Sequence, residues 1–126
     1  MINSVECIKL IEAEFPELSE ELHNETWDGL LHLQIAVFSR FAQAMIDGCD
    51  KGKLDKTYKM AFNFYQNGDN AVNNAINVSF LEHLEFDDGK VKREWAYKAM
   101  PTGLRKAFDE MLAYNIKLNS RGLTKH

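Results

Sequence analysis

The feature that most constrains the fold is a segment of about 24 residues whose apolar side chains recur at helical spacing. These side chains cover more than half of the circumference of a helix, which is typical of a helix that is packed on more than one side. The segment therefore predicts a long central helix over residues 27–50, with other helices around it. Its apolar members are Trp27, Leu30, Leu31, Ile35, Val37, Phe38, Phe41, Ala42, Met45 and Ile46.

The remainder of the chain shows the same periodicity in shorter segments, and period-2 alternation is nowhere long enough for a convincing strand. We therefore predict an all-α fold, a bundle of six or seven helices in a single domain over residues 1–126, with 119–126 as a frayed tail. A hairpin at Asp87–Gly89 is the alternative at one point. The other predicted helices cover residues 4–14, 16–23, 51–67, 69–86, 91–99 and 102–118.

Several residues indicate where these helices begin and end. Asn3 or Ser4 is a candidate cap for the first helix and Asp69 for the fifth, because such side chains accept free amide hydrogens of a first turn. Asn24 and Thr26 are candidate caps for the central helix. Gly68 is a stop signal for the helix that precedes Asp69.

The charge balance argues against a dedicated nucleic-acid binder. The 15 Lys and Arg residues are outnumbered by 19 Asp and Glu, which gives a formal charge of −4, whereas phosphate binding requires a concentrated positive face. The basic run at residues 90–106 contains Trp95, but helical spacing from Val91 predicts that this ring belongs to the core.

Compartment and redox state follow from other simple observations. The N-terminus lacks a basic region followed by an apolar run, and no apolar stretch approaches membrane-spanning length. Two cysteines, Cys7 and Cys49, are too few for a disulfide scaffold, so we expect both to be reduced and packed. We accordingly expect a cytoplasmic protein without a membrane partner.

Motifs that carry chemistry are missing from the sequence. There is no HExxH, no CxxC and no glycine-rich phosphate loop, and Ser79 has no glycine-flanked turn of the nucleophile-elbow type. We predict no catalytic residue, no metal and no cofactor. The alternative is a metal-dependent or small-molecule enzyme built on His32 and His83 with nearby carboxylates, or on the pair Glu20 and His23. A homodimeric regulatory or structural domain, paired through the central helix, is a third class.

Charge is segregated along the chain, and the segment from Asp69 to Gly89 carries five acids and no base. One interpretation is that such faces are solvated and pair across the bundle. The sharper hypothesis is an acidic surface for a cationic protein partner, because carboxylates suit Arg and Lys side chains. The predicted partner-binding residues are Glu82, Glu85, Asp87 and Asp88, supported by Asn70, Asn74 and Asn77.

The same segment contains the run NNAINVSFLEHLEF followed by an acidic turn. Here the chain resembles small bacterial helical proteins that include immunity proteins of polymorphic toxin systems, among them contact-dependent growth inhibition. The resemblance implies a cytoplasmic protein that binds one cognate toxin domain and blocks its active site. Many such toxins are basic nucleases, for which an acidic binding face would mimic the charge of the substrate.

Overall fold

The computed structural model describes residues 1–87 and 93–120, with only the backbone at 119 and 120. The all-α prediction is confirmed: the described residues contain seven α-helices and no strand, and Ile2 and Gly68 form an isolated bridge. The α-helices are α1 (Ser4–Glu14), α2 (Ser19–Leu22), α3 (Leu31–Asp47), α4 (Lys51–Asn67), α5 (Asn70–Ala75), α6 (Glu94–Lys98) and α7 (Thr102–Ser120).

Side-chain caps fix several helix starts. Asn3 accepts from the amide of Glu6 at 2.9 Å, and the Glu6 carboxylate returns a contact to the Asn3 amide, which forms a capping box. Asp69 caps α5 through the amide of Val72 at 2.9 Å, as the sequence predicts. Gly68 follows the last residue of α4 and donates to the Phe64 carbonyl.

The predicted central helix lies at the centre of the bundle, where it contacts α1, α2, α4, α5 and the segment after α5. Its Phe38 is fully buried and packs against Phe64 of α4 and Phe80, with ring centroids 6.2 and 5.2 Å apart. This helix is two residues shorter than α7, which continues to Ser120 rather than ending near Leu118.

Helix α3 begins at Leu31, four residues later than the predicted start at Trp27. The side chain of Asn24 accepts from the amide of Thr26 at 2.9 Å, so it closes a local turn instead of capping a helix. Gly29 has a φ of +81°, a left-handed conformation that interrupts helical backbone. Trp27 is held by this turn, and its indole N–H donates to the Glu21 carbonyl at 2.8 Å.

The predicted helix over residues 69–86 is wrong in its second half. After α5 the chain forms one π-helical segment, Ile76–Phe80, then a 3₁₀ turn, Leu81–His83, and becomes extended at Leu84. The change of winding is supported by α3, because the hydroxyl of Ser39 donates to the carbonyl of Phe80 at 2.9 Å. The predicted hairpin alternative and the start of the predicted helix at 91–99 fall largely on residues 88–92, outside the described residues. Within residues 1–87 and 93–120, no helix is long and apolar enough to cross a membrane.

Candidate functional site

The acidic corner, defined here as Glu82, Glu85 and Asp87, lies at the end of the π and 3₁₀ segments. Glu82 is half-buried in the 3₁₀ turn, whereas Glu85 and Asp87 are exposed in the segment that follows it. Glu82 and Asp87 each take part in a further interaction of their own. The fourth predicted acid, Asp88, lies outside the described residues.

Two contacts hold the acidic corner in place on the bundle. The side-chain amide of Gln43 on α3 binds both backbone groups of Glu85, accepting from its N–H at 2.9 Å and donating to its carbonyl at 3.0 Å. The next ring, Phe86, packs edge-on against Phe108 and Tyr97, with centroids 5.3 and 5.9 Å apart. The carboxylates of this corner are thus presented from backbone that is fixed by a core helix.

The three predicted asparagines occupy two different environments. Asn70 and Asn74 are exposed on α5, while Asn77 is half-buried in the π segment. Asn73, by contrast, donates to the Tyr65 carbonyl at 2.6 Å and so fastens α5 to α4. Only Asn77 is brought into the same depression as a predicted acid, Glu82.

That depression is an open groove of about 340 Å³, called here the α7 groove, between the π segment and α7. Its polar lining consists of the carboxylates Glu82 and Glu110 and the side-chain amides of Asn77 and Asn115. The Asn115 amide nitrogen contacts the Met111 sulfur at 3.2 Å, which leaves the amide oxygen as an acceptor. None of the described residues that line the groove is Lys or Arg.

The rest of the α7 groove is aromatic and apolar. Tyr65 comes from α4 and Tyr114 from α7, and Val78, Ala107 and Met111 supply aliphatic surface. Tyr114 is 62% exposed and Val78 is 44% exposed, both high for large side chains of this kind. Apolar side chains left exposed beside polar groups are a mark of interaction surfaces.

Several acids in the N-terminal third of the chain pair across the bundle. The interpretation of paired, solvated faces therefore applies to this part of the molecule, where exposed ion pairs are each worth little. The pairs are Glu14 with Lys56 at 3.5 Å, Glu17 with Lys53 at 3.6 Å and Glu21 with Arg40 at 3.0 Å.

A second titratable cluster surrounds His23, whose partner is not Glu20. Its Nδ1 lies 2.7 Å from an Asp28 oxygen, and its Nε2 contacts Glu12, which also accepts from the hydroxyl of Ser19 at 3.0 Å. Hydrogen bonds to Asp28 and then to Glu12 raise the pKa of His23. Both carboxylates are acceptors, so the two contacts are satisfied together by the imidazolium, which donates from both nitrogens.

The His23 cluster flanks a cleft of about 270 Å³ between α1 and the turn before α3, with Val5 and Ile8 on its wall. Both ring nitrogens of His23 are occupied, so the ring offers no lone pair to a metal. In the described part of the chain no group of three or more His, Cys, Asp or Glu side chains is arranged to hold a metal ion.

The histidines of the enzyme alternative do not come together either. His32 bonds through Nδ1 to the hydroxyl of Ser79 at 2.7 Å, whereas His83 is exposed in the 3₁₀ turn. Ser79 is 6% exposed and stands on π-helical backbone. No described carboxylate binds the other ring nitrogen of His32, so the pair lacks the orienting group of a catalytic triad and links α3 to the π segment.

The cysteines are both free, but only Cys7 is packed; the prediction of packing is wrong for Cys49. Burial raises the pKa of the Cys7 thiol to about 12, so this thiol is unreactive. Cys49 is exposed because it lies in the connection between α3 and α4. Its φ of +56° marks the point where the chain turns before α4 begins.

Fold and site together define a helical protein with an acidic and aromatic groove and no assembled catalytic group among its described residues. A family known only as a domain of unknown function, DUF7674, matches residues 8–115, and the chain therefore belongs to this family. No curated protein and no solved structure matches the chain.

Proposed function

We propose that the protein is a cytoplasmic, non-enzymatic binding protein that neutralises a cognate toxin domain by direct contact. The observation that carries the proposal is the α7 groove, where carboxylates, exposed tyrosine and aliphatic surface lie side by side, with no Lys or Arg among the described lining residues. Stable protein contacts combine buried aromatic or apolar anchors with complementary charge at the rim. The acidic corner continues the groove along the chain from Glu82 to Asp87.

A basic nuclease domain is the partner class that we propose. Such a domain presents a positive surface to its nucleic-acid substrate, and an acidic surface that covers it competes for the same charges. Opposite charge also accelerates the encounter of the two proteins, which matters for an inhibitor that must act before its target does. The resemblance of the run at Asn73–Phe86 to immunity proteins supports the same class.

The test begins with the gene next to the one for this chain. If it encodes a large secreted protein with a variable C-terminal domain, that domain is expressed alone and together with this protein. We expect the domain to arrest growth by itself, and co-expression to restore growth. Calorimetry then gives the affinity of the two purified proteins.

Charge reversal addresses the surface itself. The double variant Glu82→Lys with Asp87→Lys should keep the helical circular dichroism spectrum and lose both binding and protection, because it places two positive charges against a basic partner. The double variant Glu20→Lys with Glu25→Lys makes the same change of net charge at two exposed acids elsewhere on the surface and should bind normally. Full protection by the Glu82→Lys, Asp87→Lys variant would rule out the acidic corner, and loss of protection by the Glu20→Lys, Glu25→Lys variant instead would point to the acid-only run at residues 12–28.

A further inference from the structure

We infer that the α7 groove binds an arginine side chain that the protein partner presents. This inference rests on the proposed function and specifies the chemistry of the contact. The groove is the place on the described surface where two carboxylates, Glu82 and Glu110, share a lining with two tyrosines and two amides. The guanidinium group of arginine is the protein side-chain group that interacts favourably with all three: carboxylates, aromatic rings and amide oxygens.

Charge and hydrogen bonding favour a cation with many donors. Guanidinium carries five N–H donors in a planar fork and no acceptor, and the groove offers the oxygens of Glu110, Asn77 and Asn115 as acceptors. The described lining residues include no Lys or Arg. An anionic side chain would meet only repulsion from the two carboxylates.

The aromatic part of the groove separates arginine from lysine. Guanidinium stacks on a tyrosine face through its own plane, whereas a lysine ammonium is a compact and strongly hydrated point charge. Tyr65 and Tyr114 line the groove from two different helices, and Tyr114 is exposed enough to cover a ligand. The methylenes of an arginine would lie on the aliphatic surface of Val78 and Met111, as long cationic side chains do.

The probe for this inference is N-acetyl-arginine amide, and the matched control is N-acetyl-citrulline amide, which has the same shape without the charge. Amide chemical shifts of the labelled protein are followed during titration with each. We expect the arginine compound to shift resonances of the π segment and of residues 107–115, with saturation in the millimolar range that suits a single side chain, about 1–10 mM. We expect the citrulline compound to bind several-fold more weakly.

Two variants localise the binding. Glu110→Gln removes one charge and Tyr114→Ala removes one ring, and each should weaken the arginine compound about two- to fivefold, in line with exposed ion pairs and cation–π contacts. Both side chains are exposed, so the fold should tolerate the changes. Glu20→Gln, an equal change at an exposed acid outside the groove, should leave the affinity unchanged.

The outcomes separate this inference from the proposed function. Equal binding of the citrulline compound, or shifts that map away from the groove, would overturn the arginine site even if a toxin domain binds elsewhere. Conversely, if the groove binds the arginine compound but the protein gives no growth protection, the arginine site is upheld and the immunity role is refuted. If sizing chromatography shows a dimer that the arginine compound dissociates, a second copy of this chain fills the groove, and the inference of a foreign partner is wrong.

Discussion

Gly68 joins α4 to α5, and its replacement by alanine is the sharpest test of how the junction is packed. The φ and ψ of Gly68, −74° and 154°, are open to any residue, so backbone conformation does not require glycine here. Space does: an added Cβ would lie 2.4 Å from the Phe64 carbonyl oxygen and 2.5 Å from a methyl carbon of Val72. Neither neighbour is free to move, because the carbonyl belongs to the last turn of α4 and Val72 is fully buried.

Gly68→Ala should therefore lower the free energy of unfolding by about 1–3 kcal/mol, the usual cost of forcing a methyl group into packed surroundings. At a urea dependence near 2 kcal/mol/M, the unfolding midpoint would fall by about 0.5–1.5 M. The junction also holds the N-terminus, since Ile2 exchanges backbone hydrogen bonds with Asn67 and Asp69 at 2.8 Å each. Faster hydrogen exchange of the Ile2 and Asp69 amides in the variant than in the unmodified protein would show that the junction is displaced.

Gly52→Ala is the matched control for this prediction. The same methyl group at Gly52, in the first turn of α4, would have Asp50 Oδ1 as its nearest neighbour at 4.0 Å. The change should be neutral or stabilising by up to about 1 kcal/mol, because alanine is the better helix former. If Gly68→Ala proves as stable as Gly52→Ala, the account of a tightly packed α4–α5 junction is refuted.

Two further predictions concern groups away from the groove. Hydrogen bonds to Asp28 and Glu12 raise the pKa of His23 above its ordinary 6.5, so the stabilisation that they give is fully present below pH 6.5 and is lost as pH rises through the folded-state pKa. Urea unfolding midpoints measured across this pH range should show the loss. The variant His23→Gln should abolish this pH dependence. The buried hydroxyl of Tyr58 donates to the Ala96 carbonyl at 2.8 Å and ties α6 to α4, so Tyr58→Phe should cost about 0.5–1.5 kcal/mol or more in urea unfolding, and an unchanged midpoint would contradict this role.

The parts of the fold that were predictable depend on local signals. The caps Asn3 and Asp69 and the stop at Gly68 act within one helical turn, so the sequence alone identifies them. The central position of α3 follows from its apolar circumference. The late start of that helix was not predictable in the same way, because Trp27 has apolar spacing in the sequence but is held by a turn.

The candidate site was only partly accessible from the sequence, because half of it comes from a distant helix. Asn77 and Glu82 were predicted, whereas Glu110 and Tyr114 reach the groove through the packing of α7. The π segment, INVSF, consists of residues with moderate to low helix propensity. This weakens an α-helix but does not specify π winding, so no local signal marks the segment. Helical spacing with Leu104 and Phe108 also predicts Leu112 and Ile116 on the inward face of the last helix. Both are exposed, because the fully packed part of α7 ends at Phe108 and only Met111 beyond it still packs on the core.

Amide hydrogen exchange of this protein, free and in complex with the cognate toxin domain, tests the central claim most directly. We predict that binding slows exchange at residues 76–87 and at residues 107–115 of α7, which include the acidic corner and most of the α7 groove. Exchange in α1 and α2, where Glu14 and Glu21 pair with Lys56 and Arg40, should not change. Protection confined to α1, α2 and the turn before α3, with the groove unaffected, would contradict the account.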